Sequence, residues 1–132
     1  MKVTELNKGL LPENPVDRDL IWIDAAEPVF TTHGVFYDES QGQYVRMPQS
    51  VADATSDMVS ALNRSTSGGR IKFKTNSPYV AIQAKFSAVG KMAQFALTGS
   101  AGFDLYVGKK EEYQGVFIPP RDVTDFFESV IR

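Results

Sequence analysis

"TGSAGFDLYVG", residues 98–108, decides how the chain is read. Small residues from Thr98 to Gly102 lead into an alternating run that Gly108 closes. Alternation with period two puts Phe103, Leu105 and Val107 on one face of a strand, and Asp104 and Tyr106 on the other. A strand with one apolar and one polar face belongs to an antiparallel sheet, so the segment predicts a β-rich domain. Pattern leaves two readings of Asp104. It is a solvent-facing strand residue that accepts N–H groups of the preceding loop, or a polar group that contacts a substrate or a neighbouring domain.

Working outward, "EYQGVFIPP" (112–120) reads as a second strand, stopped by two prolines that cannot both sit in a central ladder. "VTDFFESVIR" (123–132) fits helical spacing as well as alternation. β-Branched Val130 and Ile131, and a length marginal for a helix, favour a strand over 126–132. Such a strand is expected to leave an edge of unpaired N–H and C=O groups, and through it to form a homodimer. Upstream, "RIKFKT" (70–75) and "YVAIQAKF" (79–86) flank "NSP" and predict a half-buried hairpin with Ile71, Phe73, Val80, Ile82, Ala84 and Phe86 inward. "FTTHGVFYDESQGQYVRMP" (30–48) predicts another, with strands at 35–37 and 43–46. "LIWIDA" (20–25) predicts a strand buried on both faces.

The period changes once. In "SVADATSDMVSALNRSTSGG" (50–69), Val51, Ala54, Thr55, Met58, Val59 and Leu62 fall on one helical face. Ser50 is the candidate N-cap and Gly68-Gly69 the stop. A glycine- and methionine-containing loop spans 87–102, and residues 1–19, with Pro12 and Pro15, predict a polar, weakly ordered arm. Many short strands, frequent turns and one short helix predict a mainly β domain, an antiparallel β-sandwich, over 20–132.

Composition excludes several classes. At 132 residues the chain is a single-domain candidate, and its formal net charge of −2, with scattered Lys and Arg, provides no field for nucleic acid or an anionic membrane. No segment reaches the roughly 18 apolar residues of a membrane span, and the first residues hold no signal-peptide-like run, which predicts a cytoplasmic protein. The absence of cysteine excludes disulfides and thiolate metal sites.

Catalytic patterns are missing as well. The sole imidazole is His33, in "TTHG", where no nucleophile motif or second metal ligand accompanies it. There is no Gly-x-Ser-x-Gly elbow, phosphate loop or His-Glu-x-x-His helix. "STSGGR" follows a helix and precedes a strand, the reverse of a phosphate-binding order. No catalytic residue, metal site or cofactor is therefore assigned. Trp22, Tyr37, Tyr44, Tyr79 and Tyr106 are candidates for sugar stacking, Trp22 and Tyr44 foremost beside Tyr106, although strand aromatics also serve as cross-strand packing.

"GFDLYV" resembles the Gly-x-Asp-Leu-Tyr (GxDLY) signature of the N-terminal domain that precedes the catalytic domain in SGNH- or GDSL-type hydrolases. "YVRMP", "MVSALNRSTSGGRIKFKTNSPYVAI" and "MAQFALTGSAGFDLYV" are similar to that domain in order and spacing, over roughly 20–131. The resemblance implies a jelly-roll-like sandwich fused to an SGNH serine esterase domain. That domain's Gly-Asp-Ser, Gly-x-Asn-Asp and Asp-x-x-His blocks do not occur in this sequence. The expectation is a non-catalytic accessory domain, itself not an enzyme, shortened by a terminal strand. Its partners would be the downstream catalytic domain and an acylated carbohydrate. An independent carbohydrate-binding module and a self-associating β-sandwich are the alternatives. The resemblance also places Met92, Gln94, Thr98, Ser100, Asp104 and Tyr106 at the rim facing substrate or catalytic domain.

Overall fold

The computed structural model describes residues 20–131; the expected arm at 1–19 and Arg132 lie outside the described residues. The chain forms two compact units, one of Trp22–Asn76 and one built on the chain from Ser77 onward. Strands predominate, as expected, joined in four two-stranded antiparallel ladders with three short helices. No ladder merges these pairs into larger sheets among the described residues, so the expected sandwich is not itself formed by hydrogen bonding. Among the described residues no helix is long and apolar enough to cross a membrane.

In the first unit, β1 (Thr31–His33) is followed by β2 (Phe36–Asp38) and β3 (Gln43–Val45), which form the expected hairpin with Tyr37 opposite Tyr44. The Asp38 carboxylate accepts from the Ser40 N–H and hydroxyl and so shapes the turn. Gly42, at φ 61°, supplies the left-handed residue before β3. "LIWIDA" is no strand. Asp24 accepts from the Ala26 N–H through its side chain and from the Glu27 N–H through its carbonyl, and this turn, with Pro28 behind it, outweighs β propensity.

The single helix expected over 50–69 is two: α1 (Gln49–Thr55) and α2 (Asp57–Leu62). Ser56 separates them with extended backbone, and its hydroxyl accepts from the Val59 N–H as the N-cap of α2. The cap expected at Ser50 belongs to Ser56, and helix ends at Leu62, before the glycines. The break displaces the apolar face. Ala52 is buried, whereas Val51, Ala54, Thr55 and Leu62 are exposed and Met58 is 70% exposed.

Asn63 follows α2 and is wholly buried. Its side-chain amide pairs with the Met47 peptide, donating to the carbonyl at 3.0 Å and accepting from the N–H at 3.0 Å. It also donates to Gln49 Oε1 at 3.1 Å, while its own carbonyl accepts from the Arg46 N–H. These bonds tie the end of the hairpin to the helix pair. Gln49, Asp53 and Ser60 then tie α1 to α2.

The strand expected over 70–75 shortens to β4 (Arg70–Lys72), and its partner is β1, with Thr32 opposite Ile71. The expected hairpin with 79–86 is absent, because β5 (Val80–Lys85) begins the second unit and pairs with β8 (Phe126–Ile131). Alternation gave the correct faces for β5 but not the partners. Ile71 and Phe73, expected inward, are exposed, because among the described residues β4 pairs only with β1 and has no core beneath it. Between β5 and β8 lie α3 (Leu97–Ala101), β6 (Phe103–Val107) and β7 (Glu112–Phe117). The loop expected over 87–102 therefore ends in a helical turn.

The core of this unit is Ala84, Phe117, Val123 and Phe127, with Val80, Ile82, Phe86, Val89, Leu97, Leu105 and Ile131 packed against it. Ala84 faces Phe127 across the ladder, a small residue opposite a large one. On the outer face Gln83 donates to Glu128 at 2.6 Å. β7 stops before Pro119 and Pro120, as expected, and β8 is a strand laddered on one side among the described residues. Phe127→Ala is expected to cost about 3–5 kcal/mol and Asn63→Leu, which strands the Met47 N–H and C=O, at least about 2 kcal/mol, each measured by urea unfolding.

Candidate functional site

β6 and β7 form a hairpin in which register holds from Phe103–Phe117 to Leu105–Gly115 and then shifts. Beyond the shift Tyr106 faces Tyr113, and Gln114 is the extra residue. Had the register continued, Tyr106 would have faced Gln114 and Tyr113 would have faced Val107 on the other side of the ladder. A bulge re-aims the side chains beyond it. Here it places Tyr113 on the face of Asp104 and Tyr106. The two rings meet edge to face, with centroids 5.8 Å apart and planes at 68°. They are 54% and 58% exposed.

Each residue of "GFDLY" has a definite position. A Cβ on Gly102 would meet the Thr98 backbone, with Cα at 2.9 Å and the carbonyl carbon at 3.0 Å as well as the carbonyl oxygen. Gly102 closes α3, its N–H donating to that same Thr98 carbonyl at 2.8 Å. Only a residue without a side chain fits there. Phe103 packs on Phe86 and Phe127, and Leu105 packs against the core. Asp104 is exposed, and among the described residues its carboxylate accepts no hydrogen bond from the preceding loop. The loop-anchoring reading of Asp104 thus has no bond behind it.

The other expected residues divide between the units. Met92 and Gln94 are exposed in the turn before α3, where the Gln94 amide approaches the Met92 sulfur at 4.0 Å. Thr98 and Ser100 lie half-buried within α3. These four share a unit with Asp104 and Tyr106, on the stretch leading into β6. Trp22 and Tyr44 belong to the first unit. Trp22 is 42% exposed, in a turn-rich segment. Tyr44 is half-buried, its ring 5.0 Å from that of Tyr37. Its hydroxyl is buried without a hydrogen-bond partner. His33 is exposed on β1 opposite Arg70.

Burial raises the Tyr44 phenol pKa, the charges of Asp24 and Tyr37 add to the rise, and Thr32 opposes it. Asp38 and Asp53 are held below the usual carboxylate range, chiefly by the hydroxyls of Ser40 and Ser60. None of the three lies on the β6–β7 face. Among the described residues no three His, Asp or Glu side chains gather as metal ligands.

Tyr113 was not legible as a site residue. In "EEYQG" it reads as one of several strand tyrosines, and only the register shift brings it to Tyr106. The surplus residue within an otherwise paired hairpin was the available signal, and it can be counted only once the pairing is known.

The fold and this face define a small β-rich domain whose exposed feature is a bulged hairpin carrying a carboxylate and two phenols. Residues 20–128 match the model of the GxDLY family, described as the N-terminus of SGNH-hydrolase-type esterases, and the chain belongs to that family. No curated protein and no solved structure matches it.

Gly102→Ala is expected to cost about 1–3 kcal/mol, whereas Asp104→Asn and Tyr106→Phe should stay within about 0.5 kcal/mol of the parent in urea unfolding. Because the Tyr44 pKa is raised in the fold, its stabilising contribution is complete below about pH 10 and is lost as pH rises through the folded value. Tyr44→Phe is therefore expected to flatten the alkaline limb of a stability–pH profile, with no loss of stability at neutral pH.

Proposed function

We propose that this chain is a non-catalytic accessory domain of an SGNH-type serine esterase, which packs on the catalytic domain and helps it hold an acylated carbohydrate. Family membership supplies the esterase context. The observation that carries the accessory role lies in the signature itself. Gly102 and Leu105 are accounted for by the fold, while Asp104 and Tyr106 stand exposed on one face. Exposed polar and aromatic residues that the fold does not require are the usual material of a contact surface.

Nothing in the sequence assembles a nucleophile, a base and an orienting carboxylate. His33 is the only imidazole, and it follows Thr32 rather than the Asp-x-x of the SGNH pair. The purified chain is expected to hydrolyse p-nitrophenyl acetate no faster than buffer. Hydrolysis that survived His33→Ala and was lost on substitution of a single serine would overturn the non-catalytic assignment.

Like every strand among the described residues, β8 is laddered on one side only, and this open side supports a second role, self-association through that edge. Analytical ultracentrifugation is expected to show dimer growing with concentration, and a monomer throughout would remove this role.

A further inference from the structure

The β6–β7 bulge does more than expose one signature tyrosine. We propose that Tyr106, Tyr113 and Asp104 form a single subsite for one ring of a neutral pyranoside, brought onto one face by the bulge that leaves Gln114 unpaired. The proposal rests on the accessory reading and names the ligand class of its exposed face.

Three features of the face point to this chemistry. First, the phenol rings stand at 68° to one another, so the pair presents a ring face beside a ring edge instead of a closed stack. A pyranose has an apolar C–H face that lies on an aromatic ring and a rim of hydroxyls that needs donors and acceptors at the border. Second, acceptors and donors are at that border. The Asp104 carboxylate is two residues from Tyr106 on the same side of β6, and accepts no hydrogen bond among the described residues. The two phenol hydroxyls serve as donor or acceptor. Val116, opposite Asp104, adds a half-buried apolar floor.

Third, the charge on the face selects against the other candidates. The strand positions sharing it are Asp104 and Tyr106 on β6, and Tyr113 and Val116 on β7. None is cationic, so at the face itself an acidic sugar or a phosphate meets the repulsion of Asp104. Lys109 and Lys110 follow in the turn after Gly108, outside the paired positions that form this face. A neutral ring, with or without acyl groups, meets no such repulsion.

The bulge carries the specificity of the arrangement. An extra residue disrupts the ladder locally, and such features recur next to sites where a side chain must be re-aimed. With Gln114 retained but paired in an unbroken ladder, Tyr113 would fall opposite Val107 on the other face; the bulge is what lets this sequence place it beside Tyr106.

The test is titration of the full 132-residue chain with xylohexaose, acetylated xylo-oligosaccharides and mannohexaose, followed in 1H–13C spectra of the tyrosine rings. Saturable shifts of Tyr106 and Tyr113 are expected with at least one probe at concentrations up to about 10 mM. Tyr113→Ala should weaken that binding about tenfold, while Tyr113→Phe, which keeps the ring, should stay within about threefold. Tyr113 is exposed, so Tyr113→Ala is expected to leave the fold intact and keeps the test decisive. The subsite is overturned if no probe shifts these rings, if shifts appear only elsewhere, or if Tyr113→Ala binds as the parent does. It is equally overturned if the face instead binds a separate SGNH catalytic domain and no sugar, a result that leaves the accessory reading standing.

Discussion

Phe127 sits where three strands of the second unit meet, and it is only 3% exposed. Its ring lies parallel to that of Phe86, with centroids 5.9 Å apart and planes at 7°, and within 6.3 Å of Phe103. β6 shares no ladder with β5 or β8 among the described residues. Its attachment to them is the packing of Phe103 and Leu105 on this aromatic core. Ala84, opposite Phe127, leaves room for the ring. The direction in which Asp104 and Tyr106 point is therefore set from beneath, by the residues that alternate with them. A buried aromatic ring contributes both area and preferred geometry, so this contact orients the strand as well as stabilising it.

The GxDLY signature mixes two kinds of requirement. Gly102 is needed because the chain passes too close to Thr98 for any side chain, and Leu105 because the core needs an aliphatic residue there. Asp104 and Tyr106 answer to neither. A short motif of this sort identifies a family through residues that build a turn and a core as readily as through residues that meet a ligand. Separating them takes coordinates.

Much of the second unit was legible from alternation. β6, β7 and β8 fall where period-two runs and the terminating prolines place them, and the inward sets on β5 and β8 are those that alternation selects. Partners were not legible. β4 and β5 look like a hairpin across "NSP", yet they pair with β1 and β8, because a turn signal fixes where a chain can reverse and not that the flanking runs must bond. The helix over 50–69 was misjudged for a local reason: Ser56 offers its hydroxyl to the Val59 N–H, and one cap was enough to start a new helix in mid-pattern. The bulge was invisible, since one surplus residue has no signature until its neighbours are paired.

Asn63 raises a different matter. Ladder bonds between peptide groups are indifferent to sequence, because every residue but proline brings the same N–H and C=O. The bond pair at Met47 is made by a side-chain amide standing in for a peptide group. One rung of the scaffold is thus written in the genetic code at a single codon, where it is open to loss by point mutation in a way that backbone rungs are not. The first unit has inherited, at that position, a heritable weak link that no β-ladder built from backbone alone would carry.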